Sequence, residues 1–87
     1  MQWKIEYKQS VVKSVKKLSP EVRKRIQFFL EDRIALLDDP RSQGKALTGE
    51  KNIWRYRVGD YRILTEIKDN QIVILVIDIG HRSNVYC

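Results

Sequence analysis

The sequence predicts an α+β fold of order β-α-α-β-β-β, with a helical hairpin packed on one face of a mainly antiparallel four-stranded sheet. Three observations carry this. A short stretch near the start alternates apolar and polar residues. The next thirty or so residues repeat apolar side chains at helical spacing. The C-terminal half then holds three apolar runs joined by turn-forming residues. A chain of 87 residues is the length of one domain, residues 1–87.

In "WKIEY" (3–7), Trp3, Ile5 and Tyr7 alternate with Lys4 and Glu6, as in a half-buried strand. "SVVKSVKKL" (10–18) places Val11, Val15 and Leu18 on one helical stripe. Ser19, Pro20 and Glu21 then supply a cap, a proline at the first helical position and an early acid. Val22, Ile26, Phe29, Leu30 and Leu37 continue the second helix until Asp38-Asp39-Pro40 stops it. Lys13, Lys16, Lys17, Arg23, Lys24 and Arg25 are most simply the solvated face of this helical hairpin; the competing assignment puts some of them on phosphate.

Residues 41–52, "RSQGKALTGEKN", form a polar loop with Leu47 as its anchor to the core. "NIWRYRV", "YRILTEI" and "QIVILVIDIG" follow as three strands of a meander, joined by Gly-Asp and "KDNQ". The last run is apolar on both faces and so belongs inside the sheet. Internal repeats and linkers are not apparent.

Composition bounds the partners. Net charge is +6, with 17 Lys and Arg against 11 acids, which suits polyanions. The excess is spread evenly, so a basic patch has to be made by folding. The longest apolar run falls short of the ~20 residues of a membrane helix, and "MQWKIEYK" lacks a signal-peptide core. The single cysteine, Cys87, has no intramolecular disulfide partner, and no Cys/His cluster suggests a metal. The expectation is a cytoplasmic protein without metal, cofactor or membrane contact.

Strand alternation sorts the first hairpin. With Gly59 and Asp60 as the turn, Val58 faces Tyr61 and Arg57 faces Arg62. Trp54, Tyr56, Val58, Tyr61, Ile63 and Thr65 then pack on the helices, and Arg55, Arg57, Arg62 and Leu64 take the other side. Like charges directly opposite one another destabilise a sheet. Snorkelling explains one such arginine easily and three poorly, and Glu66 is the one acid this reading places near them. A bound phosphate explains all three, because the guanidinium fork binds two oxygens at once. If Asp69-Asn70 makes the next turn, Ile77 and Ile79 fall on the arginine side and His81 follows; a longer turn reverses that.

"GHRSNVY" (80–86) adds the only histidine, another arginine and a tyrosine. Gly80 is expected to let the segment turn off its strand toward the arginines. Imidazole is the ordinary general acid or base near neutral pH, and Tyr86 suits stacking on a base or bonding a phosphate. These groups form no nucleophile triad and no Gly-rich phosphate loop. They suit attack of an RNA 2′-hydroxyl on its neighbouring phosphate, where the nucleophile belongs to the substrate.

"WRYRVGDYRILTEI" and "IGHRSNVY", in this element order, resemble the RelE/ParE superfamily of bacterial toxins from type II toxin–antitoxin systems. The resemblance runs over nearly the whole chain. It implies one of two activities: RelE-like cleavage of mRNA in the ribosomal A site, or ParE-like inhibition of DNA gyrase without nuclease activity. Carried onto this chain, the RelE pattern falls on Arg55 and Arg57, Arg62, Arg82 and Tyr86. It implies an endoribonuclease leaving a 2′,3′-cyclic phosphate (or 3′-phosphate) and a 5′-hydroxyl, with Arg57, Arg62, His81, Arg82 and Tyr86 catalytic and Arg55 and Lys51 holding RNA. The retention of Arg62, Arg82 and Tyr86 favours the nuclease. RelE proper has lysines where Arg55 and Arg57 stand, and arginine cannot give up its proton in a protein. Proton transfer is therefore expected of His81, with Glu50 and Glu66 as the glutamates near enough to assist. The implied partners are the ribosome, mRNA and a cognate antitoxin that covers the site and displaces "GHRSNVY".

Overall fold

The computed structural model describes residues 2–47, 49 and 52–81. Strand β1 (Lys4–Tyr7) leads into helices α1 (Gln9–Lys16) and α2 (Pro20–Asp32). Strands β2 (Lys45–Ala46), β3 (Ile53–Val58), β4 (Tyr61–Lys68) and β5 (Val73–His81) follow. Ser19 caps α2 as its sequence indicates, its hydroxyl accepting from the Val22 N–H at 3.4 Å, with Pro20 opening the helix. Both helices lie against one face of the sheet.

The sheet has five strands rather than four, in the order β1-β5-β4-β3-β2. The additional strand is Lys45–Ala46, which pairs antiparallel with Arg55 and Trp54. Two residues carry no readable period, so the pairing was invisible in the polar loop. β1 runs parallel to β5, and the remaining pairings are antiparallel. β5 therefore has a neighbour on each side along its first half, in keeping with its apolar run.

The second helix ends earlier than its apolar spacing suggests. Arg33 leaves helical geometry, and a 3-10 turn over Ile34–Leu36 takes over. That break turns Ile34 and Ala35 into the core and lets the Ala35 carbonyl accept from the Trp3 N–H at 2.7 Å.

The core joins Trp3, Val11, Ile26, Leu30, Ile34, Tyr56, Val58, Ile63, Ile67, Ile74 and Val76. Tyr56 is its largest fully buried side chain. The phenol donates to the Pro40 carbonyl at 2.6 Å, and its ring meets Phe29 edge-on at 6.1 Å. Burial pushes the Tyr56 phenol up to about 12. Gly44 passes so close that a Cβ there would stand 2.9 Å from the Tyr56 ring. The loop is thus clamped to β3 by backbone proximity as well as by Leu47, whose N–H donates to the Ile53 carbonyl at 3.0 Å. Among the described residues, no helix is long and apolar enough to cross a membrane.

Candidate active site

Gly59 adopts φ +58°, the left-handed conformation that a two-residue hairpin turn requires of its first position. The turn sets Val58 opposite Tyr61 and Arg57 opposite Arg62, as the sequence predicts. Tyr56, Val58, Ile63 and Thr65 are buried toward the helices. Arg57 is exposed on the other face, and Arg55 and Arg62 are half-buried there. Along that face one cross-strand row runs Arg57, Arg62, Gly80, and the next runs Lys45, Arg55, Leu64, Asp78. Lys45 is thus a further cation beside the arginines, placed there by the short strand that the sequence reading missed.

None of Arg55, Arg57 and Arg62 forms an ion pair with a described residue. Arg41, on the helix-side loop, does the opposite. Its guanidinium is paired with Asp69 and lies 3.3 Å from Asp39, and it sits 5.9 Å from the centre of the Trp54 ring. The hydrogen bond to Asp69 is the main reason its pKa is held above the ordinary arginine value.

The second hairpin corrects the expected face assignments. The β4–β5 loop is longer than Asp69-Asn70, with Lys68 pairing Val73 across it. Lengthening a two-residue turn by two does not change which face follows. The change comes from a bulge: Leu64 pairs Asp78, yet Thr65 pairs Val76, so Ile77 is an extra residue on β5. Beyond it every side chain switches sides. Ile79 pairs Ile63 and His81 pairs Tyr61, both on the helix side, rather than joining the arginines. The His81 ring meets Tyr61 edge-on, centroids 4.9 Å apart. Gly80, expected to release the chain, is still within β5.

The same bulge brings Asp78 onto the arginine face, so Glu66 is not the sole acid there. Asp78 shares the parity of Ile74 and Val76, which are buried. An acid at an inward-phase position of an apolar strand was the available signal that the phase must change before it. On the helix side, Arg25 of α2 reaches the turn, its guanidinium 3.6 Å from where a Cβ on Gly59 would stand. It extends the cationic surface around the end of the sheet. Lys51, Glu50, Arg82 and Tyr86 lie outside the described residues.

Chemically, the arginine face offers planar, permanently charged forks for an oxyanion and a nearby carboxylate, with an imidazole on the reverse side. Among the described residues, no three His, Cys, Asp or Glu side chains gather as a metal would require.

A mainly antiparallel sheet with two helices on one face is also the fold of chains in solved toxin–antitoxin complexes. Residues 5–86 match the family described as ParE toxin of type II toxin–antitoxin system, parDE. The chain is 31% identical over 85 residues to Toxin RelE3 of Methanocaldococcus jannaschii, covering 95% of this chain and 94% of that protein. It is 26% identical over 90 residues to the mRNA interferase toxin RelE of Escherichia coli K12, covering 99% and 92%. A chain in the crystal structure of the RelBE2 toxin–antitoxin complex of Mycobacterium tuberculosis has the same fold, with a TM-score of 0.84, 21% identity, and coverage of 95% and 94%. The protein belongs to the RelE/ParE-type toxin family of type II toxin–antitoxin systems.

Proposed function

We propose that this toxin is a cytoplasmic, metal-independent endoribonuclease that cleaves mRNA in the ribosomal A site and is held inactive by a cognate antitoxin. The observation that carries this reading is the Arg57–Arg62 pair, fixed opposite each other by the Gly59 turn and left without an ion-pair partner among the described residues. A scissile phosphate converts that repulsion into a clamp. The name mRNA interferase toxin, borne by the Escherichia coli relative, supports the substrate class.

In the reaction, the RNA 2′-hydroxyl attacks its phosphate, and Arg57 and Arg62 stabilise the charge that grows on the equatorial oxygens. Arg55 and Lys51 hold the flanking RNA. Arg82 neutralises the leaving oxygen and Tyr86 orients the nucleotide. His81 packs against Tyr61 on the far side of β5 from the clamp. We assign it to anchoring the strand end from which Arg82 and Tyr86 follow, rather than to the proton transfer first expected of it.

A second reading, a gyrase inhibitor that cleaves nothing, is favoured by the ParE description of the matching family. Brief expression in cells, followed by mapping of new 5′-hydroxyl ends, separates the two. Codon-phased cuts in translated mRNA are expected. Intact mRNA with damaged DNA would overturn the nuclease in favour of the inhibitor.

A further inference from the structure

We propose that Asp78 is the general base, accepting the 2′-hydroxyl proton; this rests on the nuclease reading. An arginine clamp can hold and stabilise, but guanidinium has no proton-accepting site at accessible pH. The imidazole of His81 lies on the other face, against Tyr61. The base is therefore sought among the carboxylates on the arginine side.

Three described strand residues on that side carry one: Glu6, Glu66 and Asp78. Glu6 is on the edge strand β1 and is engaged with Lys4 at 3.5 Å. Glu66 lies opposite Ile53, a row further from the clamp than Leu64. Asp78 lies opposite Leu64, directly diagonal to Arg62, whose own partner is Gly80. Diagonal neighbours on a sheet stand about 7–8 Å apart at the backbone, so the two side chains can reach one nucleotide. With no side chain on Gly80, nothing on β5 fills the space beside Arg62.

Two further observations favour a working carboxylate. Asp78 is exposed and forms no ion pair with a described residue, although Arg62 is its diagonal neighbour. It also reaches this face only through the Ile77 bulge, a device that re-aims side chains beside active sites. Among the described residues, the charged groups on the strands beside it are Arg62 and Glu66 on β4, Arg55 on β3 and Lys45 on β2, with Asp60 in the turn beyond.

The step balances without a co-reactant. The 2′-O–H bond breaks and its proton passes to an Asp78 carboxylate oxygen. The 2′-oxygen bonds to phosphorus as the P–O5′ bond breaks, and the departing 5′-oxygen takes a proton from water. Asp78 then returns its proton to solvent.

The test is single-turnover cleavage of a defined mRNA on programmed ribosomes, with the full chain. For Asp78→Asn, the maximal rate falls ~10²-fold or more, in the range general-base removal produces, while the half-saturating concentration changes less than twofold. Asp78→Glu recovers part of the rate. If Asp78 only offsets the arginines, Asp78→Asn binds more tightly and cleaves as fast or faster, which overturns the inference. A full rate for Asp78→Asn beside a collapsed one for Glu66→Gln overturns it too, by moving the role to Glu66. Asp78→Ser repeats the measurement should the asparagine variant fold poorly. Wild-type protein that leaves ribosome-bound mRNA intact overturns the nuclease reading and this inference together, whereas failure in the variants alone leaves the nuclease standing.

Discussion

Arg41 and the Arg57–Arg62 pair sit by opposite ends of strand β4 and in opposite electrostatic circumstances. Arg41 is surrounded by what a guanidinium wants: two carboxylates, Asp39 and Asp69, and the face of Trp54. It ties the loop after Pro40 to the β4–β5 loop. Arg57 and Arg62 face each other with no such compensation among the described residues. One arginine ties two loops of the fold together, and the other two stand exposed or half-buried with no ion pair to a described residue. The difference shows that a basic chain is best read by which cations lack partners, and not by how many it has.

Mutations at the two ends should therefore separate activity from stability. The largest effect is expected from Arg62→Ala, which should lower single-turnover mRNA cleavage by ~10²–10³-fold, as loss of one preorganised donor to a developing oxyanion does. Its thermal melting, followed by circular dichroism, should stay close to wild type, because the side chain forms no ion pair with a described residue. Full toxicity in this variant would remove the clamp.

Tyr56→Phe should do the reverse. Leaving the Pro40 carbonyl without its buried donor should cost about 1–2 kcal/mol in denaturant unfolding, with the cleavage rate per folded molecule unchanged. Arg41→Ala belongs to the same side of the comparison. It should lose roughly 1 kcal/mol, reflecting a solvent-screened ion pair and one cation–π contact, again with cleavage intact.

His81→Ala sharpens the division within the site. An anchoring role predicts a loss of less than about tenfold in cleavage, whereas a general acid or base would cost ~10²–10⁴-fold. The smallest effect is expected at Ile72, a β-branched residue at φ +53° in the β4–β5 loop. Ile72→Gly should relieve left-handed strain of about 1–2 kcal/mol, offset in part by glycine's greater unfolded-state freedom. A net gain below ~1 kcal/mol in chemical denaturation is the expected outcome, and clear destabilisation would mean that Ile72 contributes more by packing than it costs in strain.

Much of this was legible in the residues. The Ser19-Pro20-Glu21 helix start, the Gly59-Asp60 turn and the opposition of Arg57 to Arg62 are local consequences of capping, turn chemistry and strand alternation. Three features were not legible for one common reason. The Lys45–Ala46 strand exists because β3 offers it a pairing edge. The early end of α2 exists because Ile34 and Ala35 find space beneath β1. The partners of Arg41 come from separate loops.

By itself, then, the sequence determined a basic α+β domain whose first hairpin sets arginine against arginine, because alternation about a two-residue turn leaves no other pairing. Only the tertiary structure decided what stands beside them. A long apolar strand can be laid down in more than one register, and the choice falls to packing against the helices. Burying Ile74, Val76 and Ile79 on one side of β5 requires the extra residue at Ile77. That bulge turns His81 toward Tyr61 and delivers Asp78 to the arginines.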